Sequence, residues 1–235
     1  MIYTAVILAG GFGTRLRSVV NDIPKPMASI NGKPFLELLM ETWIEKGIRK
    51  IVIGVGYKKE IIMNYFGDNY KNISIEYVQE NKPLGTGGAL LNILKKLNIE
   101  DPIILLNGDT FFDVSLYDLY SFHIKSKSVF TFSVFKSKDL KRYMGLGVNK
   151  QMKVESIEKK DSLSDEIFVN GGVYCISSIN QYLKMFDLNK QYSLENQIIP
   201  ELISQNLPIF AYPSSAKFID IGVPDDYYKA QKILL

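Results

Sequence analysis

Tyr3-Thr4-Ala5-Val6-Ile7-Leu8 is an apolar run that passes directly into Ala9-Gly10-Gly11-Phe12-Gly13-Thr14-Arg15. Its β-branched members and even hydrophobicity suit a strand buried on both faces, as in the interior of a parallel sheet. Three glycines in four positions let the chain turn sharply and bring several N–H donors close to a ligand. Arg15 adds a planar cationic fork suited to phosphate oxygens. The combination predicts a loop that wraps a nucleoside triphosphate. It is not a Walker A loop, which needs Gly, four residues, then Gly-Lys-Ser/Thr. Nor is it a dinucleotide fingerprint, because Leu16 stands where the third glycine belongs.

A tight turn without a ligand would explain the glycines alone. Pro24-Lys25-Pro26 shifts the balance: two prolines stiffen the backbone around one lysine, and a lysine so fixed can hold its ammonium over a phosphate.

The downstream pattern repeats strand and helix. A helix is expected over 34–46 with Gly47 as its stop, a strand over 50–55, a helix over 58–66 ending at Gly67, and a strand over 73–78. Gln79-Glu80-Asn81-Lys82-Pro83-Leu84-Gly85-Thr86-Gly87-Gly88 then reads as a glycine-rich turn before a helix over 89–97. Such a turn exposes unpaired N–H groups where a base or ribose can bind; a helix-capping loop is the plainer alternative. A strand over 102–106 ends in Asn107-Gly108-Asp109. Because ligands gather beyond the carboxyl ends of strands in open α/β sheets, Asp109 should emerge beside Gly10 and Gly11. A carboxylate there suits Mg²⁺, which takes one or two protein carboxylates plus phosphate oxygens.

Strands are further expected over 129–135, 154–158 and 168–174, the last interrupted by Gly171-Gly172, a sign of close ligand approach or a bulge. A helix is expected over 115–125, and Ser193 caps another. Short strands over 210–213 and 217–221 place Asp220 at a strand end, and Pro224 opens the closing helix. His123, the single histidine, has no metal-ligating companions and reads as structural or surface. Strands alternating with helices argue for parallel βαβ units.

Gly10-Gly11-Phe12-Gly13-Thr14-Arg15-Leu16 followed by Pro24-Lys25-Pro26-Met27 resembles the signature of the sugar-1-phosphate nucleotidylyltransferases. The resemblance continues through Pro83 to Ala89, Asn107-Gly108-Asp109, Glu158-Lys159, Asn170 to Tyr174 and Phe218 to Gly222, so it spans the chain in order. It implies an α/β, single-domain, Rossmann-like fold over 1–235 with a mixed, mostly parallel central sheet flanked by helices. The nucleotide side would be about 1–113 and the sugar-phosphate side about 114–235.

By resemblance Leu8, Ala9, Gly10, Gly11, Gly13, Thr14, Arg15, Lys25, Gln79, Glu80, Pro83, Gly85, Thr86, Gly108 and Asp109 bind the nucleotide. Gln79 stands where the family places a base-reading side chain. Gly145, Glu158, Lys159, Asn170, Gly171 and Gly172 would bind the sugar phosphate, with Glu158 on sugar hydroxyls and Lys159 on the phosphate; spacing alone leaves Lys160 an equal candidate. The family commonly has Tyr-Gly-Val near Gly145, and Tyr143-Met144-Gly145 departs from that by one residue. Arg15, Lys25 and Asp109 would be catalytic, and Asp109 with Asp220 would hold Mg²⁺. The implied substrates are GTP and a heptose 1-phosphate. Mannose 1-phosphate, or uridylyl or thymidylyl transfer to another hexose 1-phosphate, is the alternative.

The base assignment has an independent argument. Guanine presents adjacent N1–H and N2 donors, and a carboxylate such as Glu80 can accept both, with backbone N–H groups serving O6; a Glu80 that points to solvent is the plainer alternative. Uracil and thymine offer one donor flanked by acceptors.

At 235 residues, 46% hydrophobic and 23% charged, the chain has an ordinary globular balance. A net charge of +3 with scattered basic residues argues against nucleic acid. No apolar run approaches the ~20 residues that span a bilayer, and no secretory signal is apparent, so none is expected. One cysteine, Cys175, fits a reducing compartment. A soluble cytoplasmic protein is expected. The sequence is compatible with a homo-oligomer but does not specify one.

Overall fold

Alternation along β1 (Thr4–Leu8) sends Ala5 and Ile7 into one apolar layer and Val6 into another, so this strand divides the molecule. The computed structural model describes all residues except 1, 17–18, 21, 98–100, 140–141, 159–166, 178–179, 189 and 235; at 14, 158, 180, 181 and 183 it describes the backbone alone. The strands that follow are β2 (Ser29–Ile30), β3 (Lys33–Pro34), β4 (Lys50–Val55), β5 (Asn69–Tyr70), β6 (Ile73–Gln79), β7 (Ile103–Asn107) and β8 (Thr110–Phe112). After them come β9 (Phe130–Ser137), β10 (Gly145–Val148), β11 (Val154–Glu158), β12 (Ile167–Ile176), β13 (Ile209–Pro213) and β14 (Phe218–Asp220). The helices are α1 (Phe35–Glu45), α2 (Lys59–Phe66), α3 (Gly85–Leu97), α4 (Leu116–Lys125), α5 (Ile199–Ser204) and α6 (Pro224–Ile233).

The central sheet is mixed. β1 lies between β4 and β7, both parallel to it, with Val6 opposite Val52 and Leu105. β6 extends the parallel set beyond β4. On the other side β12 runs antiparallel to β7, followed by β10 and β11, while β9 pairs with β12 and carries β13. One sheet thus runs through both 1–113 and 114–235. Among the described residues no helix is long and apolar enough to cross a membrane.

One face of the sheet packs on Phe35, Leu36, Leu39, Met40 and Trp43 of α1, with Ile62 of α2 and Leu119 of α4. The other packs on Leu90, Leu91, Ile93 and Leu94 of α3, with Leu194, Ile198 and Leu202. Burying side chains of this size yields ~1.5–3 kcal/mol each, which fixes the strand ends that carry the polar residues.

One element departs from expectation. α3 starts at Gly85, four residues before Ala89, so Gly85-Thr86-Gly87-Gly88 forms its first turn rather than a loop. The cause is a distant partner: Gly87 N and Gly88 N donate to the Tyr192 carbonyl at 2.9 and 3.2 Å. A Cβ on Gly87 would lie 2.6 Å from Ile198 Cγ1, so only glycine permits this approach. His123 is structural: it is buried, its ring nitrogens 2.8 Å from Thr131 Oγ1 and Ser177 Oγ. Burial pushes its pKa down to about 4. Cys175 is buried in the core, and burial raises its thiol pKa.

Candidate active site

The carboxyl ends of β1, β6 and β7 open on a cleft of about 400 Å³, within the range of small-molecule sites. Leu8, Ala9, Gly10, Gly11, Gly13, Arg15, Lys25, Glu80, Pro83, Gly85, Thr86, Gly108 and Asp109 all line it.

The glycine loop is part of its lining. Ala9 N donates to Gly54 O at 2.9 Å and Gly108 N to Leu8 O at 3.0 Å, tying the loop to both neighbouring strands. A Cβ on Gly10 would sit 2.8 Å from Glu80 Oε1. Gly13 adopts φ +58°, and a Cβ there would lie 2.7 Å from Lys25 Cβ. A 3₁₀ turn over Thr14–Leu16 follows, with Arg15 exposed; the Thr14 side chain lies outside the described residues.

Lys25 opens a second 3₁₀ turn, Lys25–Met27, after an extended Pro24. Its side chain is only 8% exposed, with Nζ 2.5 Å from Asp109 Oδ2 and 3.9 Å from Asp220 Oδ1. The two carboxylates meet because β14 pairs antiparallel with β8, setting Asp220 opposite Thr110, while Ile221 N donates to Asp109 O at 3.0 Å. Burial, then the Asp109 charge, pushes the Asp220 carboxyl up; Lys25, the Gly222 N–H at 2.6 Å and Arg15 pull it back. Among the described residues no group of three or more His, Cys, Asp or Glu could hold a metal. Two acceptor-only carboxylates facing a phosphate loop nevertheless match a hard cation that completes its shell with phosphate oxygens.

Glu80 lies against Gly10 of the glycine loop. Its backbone N donates to Val55 O at 2.9 Å, and its Oε2 accepts from Leu84 N at 3.1 Å. Burial raises its pKa, against the Leu84 hydrogen bond. Gln79 ends β6 exposed and does not line the cleft. Thr86 does, but its hydroxyl is engaged, accepting from Leu194 N at 2.9 Å and donating to Glu195 Oε2 at 3.1 Å. Phe12, Pro26, Ala89, Asn107, Gln191 and Gly222 also line the cleft, although sequence reasoning assigned them no role. Phe12, Pro26, Ala89, Asn107 and Gly222 sit inside the motifs that drew attention; Gln191 had no such signal.

Of the residues expected for the sugar phosphate, the described ones do not line this cleft, although Gly172 abuts Asn107, which does. Gly145 of β10 faces Glu158 of β11 and Val169 of β12. Asn170 N donates to Met144 O at 2.9 Å, its Nδ2 donates to Tyr174 Oη at 2.8 Å, and its Oδ1 accepts from Gly172 N at 3.0 Å. Gly171 packs its backbone on the Phe112 ring, and Gly172 has φ +72° at the break in the β12 register. The Glu158 side chain and all of Lys159 and Lys160 lie outside the described residues.

Comparison with known proteins agrees with this geometry. A family model described as nucleotidyl transferase matches residues 4–235. The chain is 40% identical over 230 residues, 98% of its length and 97% of the relative's, to the D-glycero-α-D-manno-heptose 1-phosphate guanylyltransferase of Aneurinibacillus thermoaerophilus. It is also 40% identical to the enzyme of that name from Campylobacter jejuni, covering 95% and 96% of the two chains. The crystal structure of HddC from Yersinia pseudotuberculosis complexed with GMP-PN superimposes with a TM-score of 0.84 at 36% identity, over 98% of this chain and 99% of that one. This chain, whose glycine loop, braced lysine and Asp109 line one cleft, belongs to the nucleotidyl transferase family.

Proposed function

We propose that the protein transfers GMP from GTP to D-glycero-α-D-manno-heptose 1-phosphate, releasing pyrophosphate and a GDP-sugar for surface polysaccharide assembly in the cytoplasm. The observation that carries this reading is one cleft lined by a glycine loop, Lys25, Asp109 and the carboxylate of Glu80, with Asp220 set beside Lys25. Identity of 40% to two enzymes named for this reaction supports the choice of sugar.

In the proposed reaction a phosphate oxygen of the sugar 1-phosphate attacks the α-phosphorus of GTP in line, and pyrophosphate leaves. The nucleophile is already an anion, so no general base is required. Positioning and charge neutralisation carry such transfers. Backbone N–H groups of the loop at Gly10, Gly11 and Gly13 cradle the phosphates. Arg15 and Lys25 offset charge as it moves to the leaving pyrophosphate. Asp109 and Asp220 would hold Mg²⁺, which supplies Lewis-acid neutralisation of the phosphates when bound. Glu80 accepts from guanine N1–H and N2. Gly145, Glu158, Lys159, Asn170, Gly171 and Gly172 receive the sugar phosphate; the adjacency of Gly145 and Glu158 in the β10–β11 register supports their acting together.

A matrix of four nucleoside triphosphates against heptose, mannose and glucose 1-phosphates, followed by pyrophosphate release, tests the reading. The expected outcome is highest turnover with GTP and the heptose phosphate. Equal or better turnover with UTP or dTTP overturns the guanine assignment.

A further inference from the structure

We propose that Gln191 is a further specificity-determining residue, donating its side-chain amide to the O6/N7 edge of guanine; this rests on the guanine reading of the same cleft. Gln191 lies far from every glycine motif in sequence, yet it lines the cleft beside Gly85.

Its position is fixed by the backbone around it. Tyr192 N donates to Leu84 O at 2.9 Å, and the Tyr192 carbonyl accepts from Gly87 N and Gly88 N. Gly85, at φ +70°, lets its backbone press on the Tyr192 carbonyl, and a Cβ there would lie 3.4 Å from Gln191 Cγ. The stem of Gln191 is thus laid against the first turn of α3. Its amide makes no hydrogen bond among the described residues.

The chemistry of the base calls for such a group. Guanine has two donors, which Glu80 can take, and two acceptors, O6 and N7, which a carboxylate cannot serve. Several donors beside Glu80 are engaged, leaving the backbone N–H groups of Gly85 and Thr86. The Thr86 hydroxyl is held between Leu194 N and Glu195, and the N–H groups of Gly87 and Gly88 are held by Tyr192. To the Gly85 and Thr86 N–H groups Gln191 adds a side-chain amide on the same stretch of the cleft. Glu80 and Gln191 flank the 83–86 segment, Glu80 through Leu84 N and Gln191 through Gly85, so each can meet a different edge of one base.

The test is a binding cycle between side chain and ligand atom, read by calorimetry on the full-length protein with Mg²⁺ present. Gln191→Ala should weaken GTP roughly three- to tenfold, the range of one neutral hydrogen bond. The penalty should shrink for 7-deaza-GTP, which lacks N7, or for 6-thio-GTP, which replaces O6 with a weaker acceptor. Gln191→Glu, which keeps the stem and sets an acceptor against an acceptor, should weaken GTP more than alanine does. A penalty that is the same for GTP and both analogues, or absent for GTP, overturns the role of Gln191 while leaving the guanine reading intact. Preference of the wild type for UTP or dTTP instead removes both. Thermal midpoints of the two variants are expected to match the wild type, since the side chain is exposed; a lowered midpoint with unchanged GTP affinity refutes the proposal in favour of a packing role.

Discussion

A pair of single-methyl substitutions in the glycine loop separates what the fold requires there from what the ligand requires. Gly13 has φ +58°, and an added Cβ would sit 2.7 Å from Lys25 Cβ. For Gly13→Ala the left-handed backbone alone costs ~1–2 kcal/mol. The overlap adds to it, because carbon atoms rest ~3.5–4.0 Å apart, so loop and lysine must separate by roughly 1 Å. At ~2 kcal/mol in total the melting midpoint should fall by about 4–8 °C for a chain of this size. A displacement of roughly 1 Å at Lys25 should also lower turnover ~10²-fold. Gly11 is the contrast: its φ is not positive, and a Cβ there meets nothing within 4 Å. Gly11→Ala should therefore leave stability within ~0.5 kcal/mol. The one body its methyl can strike is the nucleotide, so affinity for GTP should drop roughly tenfold or more, equivalent to ~1.4 kcal/mol. Scanning calorimetry, nucleotide titration and pyrophosphate release on both variants decide the matter. Wild-type GTP affinity in Gly11→Ala would mean that phosphates do not approach the loop. A wild-type midpoint and rate in Gly13→Ala would refute the coupling between loop geometry and Lys25.

Other perturbations follow from the same contacts. Lys25→Met should lower kcat ~10²–10³-fold, the usual loss for one preorganised charge contact, and near-normal turnover in a folded variant would remove Lys25 from the chemistry. Asp109→Asn and Asp220→Asn should each reduce activity, with raised Mg²⁺ partly restoring it; restoration by neither Mg²⁺ nor Mn²⁺ in the pyrophosphate assay counts against a shared metal. Glu80→Gln should lose ~1–3 kcal/mol of preference for GTP over UTP, measured as a ratio of kcat/KM values. His123 governs part of the acid stability. Its folded pKa of about 4 lies below the ordinary 6.5, so the unfolded chain takes up the proton first and stability falls as pH drops from 6.5 toward 4. The loss amounts to about 3 kcal/mol, and His123→Gln should flatten that part of the urea-midpoint profile; an unchanged slope would show that the ring is not held neutral.

Local patterns in the chain foretold the elements they occupy. The apolar runs of β1, β4 and β7 carry their own signal in β-branched residues, and each ends where a polar motif begins, so Gly10, Gly11 and Asp109 were placed at one edge by the strand-end rule alone. The first turn of α3 was not legible, because glycine is a poor helix former and the run reads locally as a loop. Tyr192, Leu194 and Ile198 decide it, and nothing near Gly85 in sequence announces them. Gln191 was hidden for the same reason. At the end of β6, neighbouring side chains separate: Gln79 is exposed, while Glu80, one residue on, turns toward Gly10. A family pattern read at single-residue resolution does not carry that distinction, whereas the charge argument for a carboxylate at Glu80 came from the base itself.

The balance of charge in the cleft constrains how substrate arrives. Asp109 and Asp220 are offset by Lys25, held within 3.9 Å of both, and by Arg15 on the same cleft. These two cations and two carboxylates balance, and Glu80 adds a third carboxyl group to the same cleft. A triphosphate brings several negative charges into a site with no net positive charge to receive it, and Lys25 cannot turn fully to phosphate without leaving two facing carboxylates unneutralised. A divalent cation held by Asp109 and Asp220 would supply their counter-charge and leave the Lys25 ammonium for the phosphates. The elevated Asp220 carboxyl fits this account, since burial beside another acid costs free energy that a cation relieves. On this reading Asp109, Asp220 and Lys25 would work as one set, the Lys25 contacts at 2.5 and 3.9 Å compensating the carboxylates wherever no cation does.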